Sequence, residues 1–131
     1  MDKTFAPIAA ETEHVATAII GAAIEVHRHL GPGFLERIYQ EALCLELHSR
    51  GLEFERERAV VVHYRGTAIP GQRIDLIVKG CVLVELKAAA RIDAAHEAKM
   101  ISYLRTTGLR LGLLLNFNGH TIKEGLKRVV V

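Results

Sequence analysis

Apolar residues recur along this chain with two different periods, and the points where the period changes divide it into elements. Val15, Ile19, Ala22, Ala23 and Val26 follow i, i+3, i+4 spacing, which predicts an amphipathic helix ended by Gly31-Pro32-Gly33. Residues 34–49 resume helical spacing through Leu35, Ile38, Tyr39, Ala42, Leu43 and Leu45, with Gly51 as the stop. Residues 52–62 change period: Phe54, a charged run, then the β-branched Val60-Val61-Val62 predict a strand. Residues 73–78 and 81–87 are two more short strands, with Lys79-Gly80 between them as a hairpin signal. Residues 93–107 return to helix through Ala94, Met100, Ile101 and Leu104, with Asp93 as N-cap and Gly108 as stop. Residues 111–117 are almost continuously apolar, as in a strand covered on both faces, and Asn118-Gly119 turns the chain toward a last strand at 129–131. Two helices, three strands, one helix and two strands predict an α/β fold with a mixed central sheet flanked by helices. No repeat or linker interrupts the pattern, so one domain over residues 1–131 is expected.

Composition narrows this picture. A chain of 131 residues, 50% hydrophobic, is sized for one core. Cys44 and Cys81 show no CxxC spacing and are too few to staple such a chain, which fits buried thiols in a reducing compartment. The opening MDKTFAPIAAETEH lacks a continuous apolar stretch after Lys3 and contains acids, unlike a secretory signal, so a cytoplasmic location is expected. The longest apolar region, residues 15–26, is well short of the roughly 20 residues a membrane helix needs, so no membrane partner is expected. Net charge is only +2, but residues 1–86 hold 9 Lys+Arg against 12 Asp+Glu while residues 87–131 hold 8 against 3. Lys87, Arg91, Lys99, Arg105 and Arg110 are therefore candidates for a phosphate-attracting surface, the alternative being a solvated helix face.

The chemistry concentrates in the two short strands. Strand side chains alternate, so Glu85 and Lys87 share a face while Val84 and Leu86 occupy the other. Both charges interrupt the apolar run CVLVELKA, and desolvating them unpartnered would cost roughly several kcal/mol. The neighbouring strand supplies Asp75 within IDLIV. Two carboxylates that close repel unless a cation lies between them, and oxygen ligands suit Mg²⁺ or Mn²⁺ rather than zinc. The arrangement requires a specific register: Asp75 stands opposite Glu85 only if Val78 stands opposite Val82. An even loop would carry Asp75 to the other face. The same Asp…Glu-x-Lys pattern also fits an ordinary Glu85–Lys87 ion pair at the sheet margin, with Asp75 solvated at a strand end.

The remaining motifs resemble the GxxExxY proteins of the PD-(D/E)xK nuclease-like superfamily. Gly33-Phe34-Leu35-Glu36-Arg37-Ile38-Tyr39 matches the naming motif, Arg73-Ile74-Asp75-Leu76 and Val84-Glu85-Leu86-Lys87 resemble the acidic and ExK strands, and Tyr103-Leu104, Thr107 to Gly112 and Leu115-Asn116-Phe117 resemble the closing helix and strand. The resemblance implies a restriction-endonuclease-like core and a Mg²⁺- or Mn²⁺-dependent nuclease acting on DNA or RNA. Asp75 and Glu85, with Glu36 completing the cluster, would ligate the metal, and Lys87 would contact the phosphate or the attacking water. Glu36 would share a helical face with Gly33 and Tyr39. Tyr39, Lys99 and Tyr103 would line the substrate. In one departure, Lys99 stands where these proteins usually carry a glutamine, four residues before the tyrosine. A lysine there would bind a phosphate directly or oppose the metal.

Other chemistries lack support. The seven histidines show no zinc-ligand spacing, and Cys44 with His48 lies on an apolar helix pattern that favours a buried thiol. His96, on the helix of Lys99, reads as a surface residue beside a nucleic-acid face. There is no GxSxG, GxxxxGK or GxGxxG. The alternative to a nuclease is a non-catalytic nucleic-acid-binding or homo-oligomeric module that keeps the fold. Strand edges at 52–62 and 129–131 offer a route to a homodimer.

Overall fold

The computed structural model describes residues 6–131, so the first five residues of the opening stretch behind the cytoplasmic expectation lie outside the described residues. Helix α1 runs Ala10–Leu30, and its i, i+3, i+4 positions Val15, Ile19, Ala22, Ala23 and Val26 are all buried as the pattern requires. Glu11 and Glu13 sit in its first turn and Arg28 in its last, each complementing the helix dipole. Gly31, at φ 68°, closes it by donating to the His27 carbonyl.

Helix α2 runs Glu36–Ser49 without a side-chain cap at its start. Phe34 and Leu35 therefore precede the helix, and both are exposed, as is Leu45, which points away from the core. Gly51, at φ 74°, ends it: Leu52 N–H donates back to the Leu47 carbonyl at 2.9 Å, the long bond of a Schellman closure. Strands β1 (Phe54–Tyr64) and β2 (Thr67–Val78) form a long hairpin, and β3 is Val82–Lys87. Helix α3, Ala94–Thr107, has the expected Asp93 N-cap, which with His96 makes a reciprocal capping box, and ends at left-handed Gly108. Strand β4 (Leu111–Asn116) is buried throughout. The four-residue helix α4 (Ile122–Gly125) leads into β5 (Leu126–Val130), so the chain turns at Asn118 but pauses in α4 before its last strand.

The five strands lie in sequence order, antiparallel except for the β3–β4 pair, which is parallel with α3 as crossover. Strands β1 and β5 are the edges, as the sequence suggested. Helices α1 and α2 cover one face, packing Ile19, Tyr39, Leu43 and Leu47 on Leu76, Val84, Leu86 and Leu113. Helix α3 covers the other, packing Met100, Tyr103 and Leu104 on Ile77, Leu83 and Leu114. This is the mixed sheet flanked by helices expected from the sequence, and it is consistent with a restriction-endonuclease-like fold. Of the two thiols, Cys44 is buried and Cys81 only half-buried. No described helix is long and apolar enough to cross a membrane.

Candidate active site

Strand β3 is central, with neighbours on both sides, so any polar group on it must find a partner inside the protein. Its hairpin with β2 has the required register: Val78 pairs with Val82, Ile77 with Leu83 and Leu76 with Val84. One step further the ladder stops, and Asp75 and Glu85 stand opposite each other. There the side chains replace the backbone ladder. Asp75 N–H donates to Glu85 Oε1 at 3.0 Å, and Leu86 N–H donates to Asp75 Oδ2 at 2.9 Å. Each carboxylate thus satisfies an amide exposed where the strands part, while Asp75 Oδ1 and Glu85 Oε2 make no hydrogen bond among the described residues.

Glu85 is only 4% exposed. Burial first, then the charge of Asp75, pushes its carboxyl from an ordinary 4.5 up to about 7, against the Asp75 amide bond and the charges of Lys87 and Lys99. Asp75 is likewise raised, chiefly by burial, opposed by the Leu86 amide bond, raised further by the charges of Glu36 and Glu57 and lowered by Lys87. The pair is short of positive charge. Lys87, half-buried at the end of β3, forms no ion pair with Glu85 among the described residues, so the sheet-margin ion pair is not what this strand makes.

A model of the PD-(D/E)XK nuclease superfamily matches residues 13–129. The chain belongs to that superfamily. No characterised protein and no solved structure matches it. Nucleases of this superfamily generally depend on a divalent metal ion. The donor set fits such an ion: two hard carboxylates, each with an oxygen to spare, match the usual Mg²⁺ arrangement of one or two carboxylates completed by water and substrate phosphate. Among the described residues no three His, Cys, Asp or Glu side chains gather into a ready-made metal cluster.

The other expected site residues of this superfamily member are placed unevenly. Glu36 is exposed at the first residue of α2, where its charge reaches Asp75 without a hydrogen bond to it. Gly33 precedes that helix at φ 108°, so it does not share a helical face with Glu36 and Tyr39. Tyr39 is fully buried and does not join the pair. Its hydroxyl donates to the Gly31 carbonyl and accepts from Phe34 N–H at 3.1 Å, while its ring stacks on Phe117 with centroids 4.6 Å apart. It ties the α1–α2 connection to the core. Tyr103 is buried on the α3 side with exposed Lys99 one turn away, Nζ 5.6 Å from its ring centroid. Burial opposes the charge of Lys99, but the Tyr103 hydroxyl and the fields of Glu85 and Asp75 outweigh it and raise its pKa overall. Arg110 leaves the proposed phosphate surface: its guanidinium donates to the carbonyls of Ala6, Pro7 and Val131.

Three residues near the pair have roles that the sequence did not assign them. Glu57 lies on β1 between the Arg56–Leu76 and Arg58–Ile74 pairs, across from Asp75, in the left-handed region at φ 51°. Buried Gln40 holds it through Nε2 at 2.8 Å. Gln40 is one turn after Glu36, and that i, i+4 spacing was the available signal; Glu57 was hidden in the run ERER. Asn116, buried at the end of β4 beside Lys87, grips Ala89 from both sides, accepting its N–H at 3.1 Å and donating to its carbonyl at 2.9 Å. It anchors the loop that follows Lys87, whereas the sequence marked it only as part of the closing strand, an amide inside the apolar LGLLLNF.

Proposed function

We propose that this chain hydrolyses phosphodiester bonds of DNA or RNA with a divalent cation, Mg²⁺ or Mn²⁺, held by Asp75 and Glu85. The observation that carries the reading is the pair itself: two opposed carboxylates, buried where β2 and β3 part and each with one unbonded oxygen. The run Gly33 to Tyr39 supports assigning it to the GxxExxY proteins within the superfamily. The bound cation would supply electrophilic neutralisation of the phosphate and acidify the attacking water. Lys87 contributes a positive charge from the same strand, orienting the phosphate or that water. Glu36 adds negative potential at the outer edge and completes the acidic set. Lys99 and Tyr103 face the pair from α3 and hold the substrate phosphate, whereas Tyr39 keeps the α1–α2 connection in place behind Glu36.

The test is calorimetric titration of Mn²⁺ into the wild type and Asp75→Asn, followed by incubation of each with plasmid DNA and with RNA. Binding and metal-dependent cleavage by the wild type alone support the reading. Equal metal binding or equal cleavage by the variant overturns the assignment.

A second reading has one observation in its favour. The charge of Lys99 already reaches Glu85 and Asp75, so the helix partly supplies the cation the pair lacks. On that reading the chain is a non-catalytic nucleic-acid-binding module or a homodimerising one, and Lys99→Gln would create metal affinity that the wild type lacks.

A further inference from the structure

At Asp75, β2 parts from β3 but stays paired with β1, from Arg58–Ile74 out to Tyr64–Thr67. Residues 58–74 therefore form a two-stranded arm rooted at the carboxylate pair. Seven residues of β1 at roughly 3.3 Å each carry it ~20 Å past Asp75, about six phosphate spacings along one strand of a duplex. The arm has a defined shape. Arg65 and Gly66, at φ 50° and 78°, close it in the type I′ pattern that matches strand twist, which sets Arg65 at the tip. Where the register shifts between Val60 and Val62, Pro70 and Gly71 of β2 oppose the single Val61, with Gly71 at φ 129°, and this bulge bends the outer half.

The arm also has one sign of charge. No acid occurs between Glu57 and Asp75, while Arg58, His63, Arg65 and Arg73 fall inside that interval. Arg58 is paired with Glu55, but Arg65 and Arg73 have no carboxylate partner among the described residues, and Arg65 lies over the exposed Tyr64 ring at 5.9 Å. Val60 and Ile74 pack into the core at the root of the arm, but Val61, Val62 and Ile69 are exposed, so no core accounts for its outer half.

We propose that the β1–β2 arm is a nucleic-acid clamp, laying Arg65 and Arg73 against the phosphates of a strand whose scissile bond lies over Asp75 and Glu85. This rests on the nuclease reading and adds to it the means of holding a polymer. Charge complementarity selects this occupant over a second copy of the chain, since two arms brought edge to edge would set their unpaired arginines together.

The decisive comparison uses Asp75→Asn as a background for binding without cleavage, with and without Arg65→Asn and Arg73→Gln. Asparagine tolerates the left-handed turn position, so the first change removes charge while keeping the tip. Affinity for a fluorescein-labelled DNA duplex and its RNA counterpart is read by anisotropy across a salt series, with sedimentation for oligomeric mass and circular dichroism for folding. The clamp predicts a loss of tenfold or more for the double change at low salt, and a log–log salt slope shallower by about 0.9 per lost contact on duplex DNA. Unchanged affinity and slope in a protein that binds nucleic acid overturn the clamp and leave the nuclease reading intact. No binding by any form, with or without divalent cation, removes both. A change in oligomeric mass with unchanged affinity makes a second copy the occupant and overturns the proposal.

Discussion

Along β2, residues 74–78 are buried or half-buried and residues 67–73 are all exposed, although one continuous strand carries both. The inner half is held by burial: Leu76 and Val78 pack under α1 and α2, and Ile77 under α3. The outer half has only the ladder to β1, a tight turn and one buried neighbour, Val60. Asp75 marks the border. A carboxylate there is close enough to the core to be desolvated and raised, yet lies where the sheet opens and a polymer has room to approach. On the proposed reading the two halves have separate tasks: an inner half rigid enough to fix the pair, and an outer half free of core duties.

The largest effect that would break this comparison is chemical. Asp75→Asn or Glu85→Gln should reduce metal-dependent cleavage to background in a plasmid-nicking assay. Lys87→Ala should keep metal binding by calorimetry while slowing turnover on the order of 10²–10³-fold. Next comes packing. Leu76→Ala should cost about 2–5 kcal/mol in urea unfolding, whereas Ile69→Ala, seven residues away on the same strand, should stay within about 0.5 kcal/mol. Equal costs would mean the arm is core after all.

A third prediction follows from the raised carboxyl of Glu85. The unfolded chain ionises this group near its ordinary value, while the folded protein retains the proton until about 7. The folded state therefore binds more protons across that window, and metal-free stability should fall as pH rises through it, by on the order of 3 kcal/mol in total. Glu85→Gln should flatten that slope, and Mn²⁺ should restore stability at the upper end, both readable as thermal midpoints. The smallest effect lies at the tip: Arg65→Asn should raise stability by a few tenths of a kcal/mol in denaturant titration, because asparagine tolerates positive φ better than arginine.

The inner half was legible because its signal is physical at every step. Alternation puts Glu85 and Lys87 on one face and hydrophobic continuity marks β4, whereas Lys79-Gly80 marks the turn but not its register, which the three-residue connection through Cys81 fixes by pairing Val78 with Val82. Asp93 could be read as a cap because its side chain has one local task. Residues 67–72 were not legible as strand. They bury nothing, so they carry no apolar alternation, and Pro70-Gly71 resembles a loop although it sits in a bulge. Helical spacing extended α2 back to Phe34, because periodicity cannot tell a capped start from a connection tied down by the distant Tyr39 hydroxyl. The Gln40–Glu57 bond depends on tertiary contact between α2 and β1, and the left-handed backbone of Glu57 leaves no trace in its side chain.

The exchange of side chain for ladder at the parting of β2 and β3 has a spectroscopic consequence. The amide protons of Asp75 and Leu86 point at carboxylate oxygens of the site rather than at backbone carbonyls of the neighbouring strand. Their chemical shifts and solvent-exchange rates therefore report on the charge held between those carboxylates, while the amides of neighbouring paired residues report on the sheet. Two backbone resonances, needing no label beyond ¹⁵N, let occupancy of the site be followed separately from the stability of the fold.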